Sequence, residues 1–145
     1  MFLGQFVHSF DDKSRLTVPA KFREPLTAGA FVTQGMDKNL MVMTAEAFQT
    51  VYQRLMAMNM MDPAARSLRR LILGNASQLE LDGAGRILIP QVLREHAGLE
   101  NEAVLLGQGD YFEVWSQANW KEQETQLQGL ENDPQRFATL NLTTR

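Results

Sequence analysis

Residues Asp82–Glu95 read DGAGRILIPQVLRE, and Asp11–Glu24 read DDKSRLTVPAKFRE. The shared positions recur at a spacing of 71: Asp11/Asp82, Arg15/Arg86, Pro19/Pro90, Arg23/Arg94 and Glu24/Glu95. Downstream the spacing becomes 72, and Gly35, Val42 and Phe48 align with Gly107, Val114 and Trp120. An internal repeat is read before anything else, because it decides how apolar faces are covered. Each copy is about 45 residues long, too short to enclose a generous core alone. Two copies in one chain therefore predict halves that bury their apolar faces against each other, as a pseudo-dimer.

Within a copy the expected order is strand, turn, strand, short helix, hairpin. Phe6, His8 and Phe10 alternate like one face of a strand, as do Leu79 and Leu81. RLTV and RILI are short apolar or β-branched runs stopped by Pro19 and Pro90, residues suited to a helix start. Apolar runs flanking Met36–Asn39, and others flanking Gln108–Asp110, read as hairpins. Between the copies Thr44 is placed to cap a helix running to about Met58. Asp62-Pro63 starts a second helix and Gly74 stops it, with Arg66, Arg69 and Arg70 on one side. The last 25 residues are polar and weakly periodic, with at most one more short helix after Asp133-Pro134, and a partly disordered tail is expected. The predicted class is α+β, mainly β, with modules at 5–48 and 76–120, linking helices at 49–75, and a C-terminal helix and tail at 121–145.

Composition narrows the function. The chain has 145 residues, 44% hydrophobic and 21% charged, near the globular average. It contains no cysteine, which removes disulfides and every thiolate site and fits a reducing compartment. The start MFLGQFVHSF lacks the pattern of a signal peptide, and no run reaches the roughly 18–20 apolar residues of a membrane span. A cytoplasmic protein with no membrane partner is the expectation. A net charge of −3 weighs against nucleic acid, but residues 49–75 carry +3 while 76–120 carry −5. A basic face is thus compatible with the acidic sum.

The repeated turn is the candidate site. Asp11 and Asp82 can accept backbone N–H groups of their turns, and Gly85 supplies left-handed backbone at no steric cost. Ser14 stands where the second copy has Gly85. If that position is left-handed, serine costs roughly 1–2 kcal/mol relative to glycine, so the first turn is expected to be strained or differently shaped. Two readings of Arg15 and Arg86 stay open. They present rigid guanidinium forks to phosphates or guanine edges, or each pairs with its own aspartate and locks the turn. Lys13, Lys21 and Arg23 add a cationic cluster at the first copy; the second has Ala84 and Val92 in place of the two lysines. An anion-binding face should be stronger at the first copy.

The pattern D-x-x-x-R-[ILV]-x-[VI]-P-x-x-[FL]-R-E followed by a hairpin resembles the SpoVT/AbrB swapped-hairpin domains, DNA-binding halves of bacterial regulators and antitoxins. Two copies, with RRLILGNASQLELDGAGRILIP leading into the second, make residues 1–125 similar to the MraZ family of transcriptional regulators. The resemblance implies two swapped-hairpin modules forming a pseudo-dimeric β-barrel with added helices. It implies ring-like homo-oligomers that associate with the nucleoid and bind short, G-rich direct repeats in double-stranded DNA. Such proteins act mainly as repressors of the division and cell-wall gene cluster containing their own gene. It also implies that Asp11–Arg15 and Asp82–Arg86 contact DNA. The family's usual first turn has glycine before the arginine, and Ser14 departs from it.

Rival classes are weaker. His8 with Asp11 and Asp12 could be drawn as a metal or hydrolytic cluster, but no HExxH, phosphate loop or nucleophile elbow accompanies them. No enzyme activity, cofactor, metal or small-molecule substrate is expected. LMAMNMMDP at Leu55–Pro63 supports a non-enzymatic interaction module, antitoxin-like or scaffolding, since methionines suit repackable contacts. Arg66, Arg69 and Arg70 could face DNA or the acids of a neighbouring subunit, with a solvated helix face as the default.

Overall fold

The computed structural model describes residues 1–142, so the end of the expected tail, 143–145, lies outside the described residues. The first copy forms β1 (Gln5–Ser9), β2 (Arg15–Thr17), α1 (Ala20–Arg23) with a 3₁₀ turn Glu24–Leu26, and the hairpin β3 (Ala30–Gln34) and β4 (Leu40–Thr44). The second copy repeats the order as β5 (Ser77–Leu79), β6 (Arg86–Leu88), α4 (Gln91–His96), β7 (Glu102–Gly107) and β8 (Tyr111–Ser116). Two helices, α2 (Ala45–Met56) and α3 (Pro63–Leu73), lie between them, and α5 (Gln117–Glu131) succeeds β8. Pro19 and Pro90 sit one residue before their helices, as N-caps.

The cap assignments hold at atomic level. The Thr44 hydroxyl accepts from the Ala47 N–H at 3.1 Å, and Asp62 accepts from the Ala64 N–H at 2.9 Å. Gly74 ends α3. Each satisfied cap is worth about 0.5–2 kcal/mol, which is why these boundaries can be read from single residues. The polar C-terminal stretch forms a longer helix than its weak periodicity suggested. Ser116 caps α5 by accepting from Asn119 N–H at 3.0 Å, and Trp120 anchors its first turn while the rest lies in solvent. A 3₁₀ segment, Pro134–Leu140, comes after it.

The strands are shared between copies. The larger sheet runs β1-β7-β8-β4-β3-β5, so β1 pairs with the second copy's hairpin and β5 with the first copy's. The hairpins meet along β4 and β8, Val42 opposite Phe112. β2 and β6 form a separate antiparallel ribbon, with Leu16 opposite Ile87. The expected closed barrel is not found among the described strands. After β1 and β5 the chain turns away at Asp11 and Asp82 into the ribbon, and one isolated bridge, Phe10 to Leu16, joins ribbon and sheet.

One core lies between the ribbon and the sheet. Leu16 and Ile87, Val18 and Ile89, and Phe22 and Leu93 are equivalent pairs, all buried. The Phe22 ring lies 5.2 Å from Phe2, 5.3 Å from Phe6 and 5.0 Å from Phe112, drawing residues of both copies together. Truncating such a side chain to alanine costs about 2–5 kcal/mol. On the other sheet face α2 packs through Phe48 stacked on Phe31 at 4.3 Å, and α5 through Trp120 edge-on to Trp115 at 5.5 Å. The Thr33 hydroxyl, donating to the Ile72 carbonyl at 2.6 Å, ties α3 to the same face.

Candidate functional site

The core fixes the ribbon, and the ribbon fixes the turns. With Leu16 and Ile87 pointing inward, strand alternation sends Arg15, Thr17, Arg86 and Leu88 to the outer side. Leu88 is exposed, next to Arg15 across the ladder. The Val18 N–H donates to the Gly85 carbonyl at 2.9 Å, and the Ile89 N–H to the Ser14 carbonyl at 3.4 Å. Each turn is therefore tied to the strand of the other copy.

The two turns have the same shape. The Asp11 N–H donates to the Arg15 carbonyl at 2.9 Å and the Ser14 N–H to the Asp11 carbonyl at 3.1 Å; the second turn repeats these bonds at 2.9 and 3.0 Å. Asp11 Oδ1 accepts from the backbone N–H groups of Lys13 and Arg15, both at 2.9 Å. Asp82 Oδ1 accepts from Ala84 at 2.9 Å and Arg86 at 2.8 Å. Ser14 has φ +63° and Gly85 φ +78°. The first turn is thus not differently shaped; serine occupies the left-handed conformation that glycine takes in the second copy.

Arg15 Nε donates to Asp11 Oδ2 at 2.6 Å, and Arg86 Nε to Asp82 Oδ2 at 3.0 Å. Both arginines are thereby engaged by their own motif aspartate, as the turn-locking reading expects. The structure adds a contact between copies: Arg86 Nη1 lies 3.2 Å from Asp11 Oδ2. Arg86 spans two carboxylates while Arg15 holds one, and these are the three ion pairs among the described residues. Both aspartates are held below the ordinary carboxylate value. The largest cause is the N–H of Arg15 for Asp11 and of Arg86 for Asp82; loss of water opposes it, and the neighbouring N–H and guanidinium add to it.

Among the remaining candidates, Lys13 and Lys21 are exposed at the first copy, with no ion-pair partner among the described residues. Arg23 is placed differently. Its Nε donates to the Val18 carbonyl at 2.9 Å, and its guanidinium lies against Gly85, where a Cβ would overlap it. Arg94 makes the equivalent bond to the Ile89 carbonyl at 3.0 Å. The sequence reading assigned Arg94 no role, although its place in the repeat matches Arg23. His8, Asp11 and Asp12 do not form a metal cluster; among the described residues no three His, Cys, Asp or Glu could hold an ion. No helix among the described residues is long and apolar enough to cross a membrane.

A neutral quartet of two aspartates and two arginines, flanked by exposed lysines at one copy, cannot by itself name a ligand. Similarity to known proteins places the chain in a family. The model described as "MraZ protein, putative antitoxin-like" matches twice, over residues 1–71 and 72–141. A transcriptional regulator MraZ of Thermomicrobium roseum is 41% identical over 142 residues, covering 97% of this chain and 99% of that protein. Another, of Hydrogenovibrio crunogenus, is 43% identical over 117 residues, covering 77% of each chain. A third, of Desulfitobacterium hafniense strain Y51, is 40% identical over 128 residues, covering 88% of this chain and 90% of that protein. With both copies of the repeat matched and similarity extending over nearly the whole chain, this protein belongs to the MraZ family.

Proposed function

We propose that this protein is a sequence-specific, double-stranded-DNA-binding transcriptional regulator, mainly a repressor. Its sites are short G-rich direct repeats in the promoter of the division and cell-wall gene cluster that includes its own gene. It works in the cytoplasm on the nucleoid, as a homo-oligomeric ring. The exchanged pairing of β1 and β5 supports a pseudo-dimer of swapped-hairpin modules, and the relatives' name supports transcription regulation. The observation that carries the reading is the pair of matched Asp–Arg turns, cross-linked at one end of the core, with Lys13 and Lys21 exposed beside them.

In this reading the aspartates hold the turns and orient the guanidinium groups. Arg15 has Nη atoms with no hydrogen-bond partner among the described residues, so it can reach a guanine edge or phosphate without releasing Asp11. Arg86 has only Nη2 without a partner among the described residues, so a two-pronged contact through both Nη atoms would make it share its bond to Asp11. Lys13 and Lys21 supply charge that the neutral quartet lacks, and Arg23 supports the strand end behind it. The test is a mobility shift with the upstream region of its own gene cluster across a salt series. Arg15→Ala should weaken binding about tenfold or more and lower the salt slope by about one. Arg86→Ala should weaken binding less per charge lost and lower the melting temperature as well. If neither substitution weakens binding, the site is elsewhere. Retention insensitive to salt would favour an antitoxin-like interaction module.

A further inference from the structure

The repeat allows each surface of the second copy to be compared with its counterpart in the first. α2 and α5 are equivalent, anchored by Phe48 and Trp120. Two turns further on, Leu55 of α2 is only 3% exposed, while Leu127, its counterpart on α5, is 40% exposed. The difference lies in the next segment of chain. α3 folds back against α2 and buries Ala65 and Ile72. Its start, Asp62-Pro63, returns 71 residues later as Asp133-Pro134. There the chain makes only the 3₁₀ segment Pro134–Leu140, with no buried residue and with Phe137 and Leu140 48% and 69% exposed. The second copy thus has the start of a covering helix and no cover.

A matching surface lies on the α2–α3 connection. Met56, Met58, Met60 and Met61 are exposed, and the Arg69 guanidinium lies on the Met56 and Met60 sulfurs. Arg66 donates to the Met60 carbonyl at 2.8 Å. No arginine of this face has a carboxylate partner among the described residues, and neither Glu122, Glu124 nor Glu131 of α5 has a cation. Each surface therefore combines exposed apolar side chains with unmatched charge of opposite net sign, since on the arm Glu122, Glu124, Glu131 and Asp133 outnumber Lys121 and Arg136. Methionines adapt to an incoming apolar shape, and arginine tolerates the desolvation that contact brings.

We propose that the C-terminal arm of one protomer, α5 beyond Trp120 with Pro134–Leu140, docks on the methionine–arginine face of α2–α3 of a second protomer of the same chain. Phe137 and Leu140 seat among the methionines, and the α5 glutamates face Arg66 and Arg69. Two different surfaces meet, so the contact is heterologous and propagates until it closes a ring or extends as a filament. The proposal rests on the homo-oligomeric reading of the protein and not on the DNA site.

Sedimentation velocity of the full chain tests it. Phe137→Glu with Leu140→Glu, at exposed side chains, and separately Arg66→Glu with Arg69→Glu should each give monomers with parental circular dichroism. The arginine pair should melt lower, because Arg66 and Arg69 are half-buried and lose their contacts to Met56 and Met60. Each variant keeps one intact face, so an equimolar mixture should form a dimer that grows no further. Assemblies of parental mass in either variant, or a mixture that stays monomeric, overturn the proposal. So does a loss of DNA binding in Arg66→Glu/Arg69→Glu at unchanged assembly mass, which would assign that face to nucleic acid. A parent that is itself monomeric would remove the homo-oligomer reading first.

Discussion

At Ser14 a side chain stands where its counterpart has none, and the consequence can be measured. The position is left-handed in both copies, at φ +63° and +78°. Left-handed backbone costs an L-residue roughly 1–2 kcal/mol, part of which glycine gives back through the greater freedom of its unfolded chain. Ser14→Gly should therefore gain about 1 kcal/mol or less and raise the melting temperature by about 2–4 °C. Gly85→Ser should lower it by more, because the new Cβ meets the Arg23 guanidinium as well as the backbone penalty. Differential scanning calorimetry of the two variants decides this. A Ser14→Gly protein that melts at or below the parent temperature would mean that the hydroxyl or its neighbours fully relieve the strain. The arginines differ in the same residue-by-residue way. Arg15 has one carboxylate and Arg86 two, so truncating Arg86 also removes the ion pair between the copies, which the shared sheet and ribbon still hold together.

At the scale of the element, the Asp–Arg turn is a pH-sensitive unit. Both carboxylates have folded-state pKa values below the unfolded value, so their stabilisation is fully present above the unfolded pKa and is lost as pH falls through the folded one. Asp82→Asn should therefore destabilise the protein near neutral pH, and its melting temperature should converge on the parent's below about pH 4. A gap that stayed constant to pH 2 would show that the charge of Asp82 adds nothing. How legible these elements were depends on the forces that fix them. The turn was readable because a short aspartate four residues before an arginine determines its own hydrogen bonds, and α2 and α3 because Thr44, Asp62-Pro63 and Gly74 are local signals. Partners in the sheet were not readable. That β1 pairs with β7 rather than with its own hairpin depends on which copy covers which, a choice alternation cannot express. The Asp11–Arg86 contact arises from that exchange, so it too was invisible. The expected barrel failed for a related reason: the ribbon carries its own pairing and leaves β1 and β5 as open edges. α5 was underestimated because only Trp120 is buried, and a mostly solvated helix leaves little apolar period in the sequence.

The whole molecule sets an electrostatic problem that one chain does not solve. Its net charge is −3, and each arginine of the proposed reading face is already paired with a carboxylate. The cations left for phosphates at that face are chiefly Lys13 and Lys21, both in the first copy. So few cations predict weak binding with a shallow salt dependence for a single face, since the slope grows with the number of phosphates contacted. Repetition changes the arithmetic. When copies are held together, each bound face raises the effective concentration of the next, and avidity can exceed a single contact by about 10²–10⁴ without any new bond. A heterologous assembly repeats its faces in one direction, which suits direct repeats, whereas a two-fold dimer suits palindromes. In the proposed assembly, separating the protomers while keeping Arg15 and Arg86 should therefore lower affinity for the proposed operator by about two orders of magnitude or more. Joining two such protomers through a flexible linker long enough to span neighbouring repeats should restore part of the loss. The restoration should fall away when the spacing between the DNA repeats is lengthened beyond the linker's reach. Binding titrations on one-repeat and two-repeat duplexes read the effect directly. If a verified monomer bound the two-repeat duplex as tightly as the assembled protein, the single face would suffice, and the paucity of exposed lysines would no longer argue for assembly.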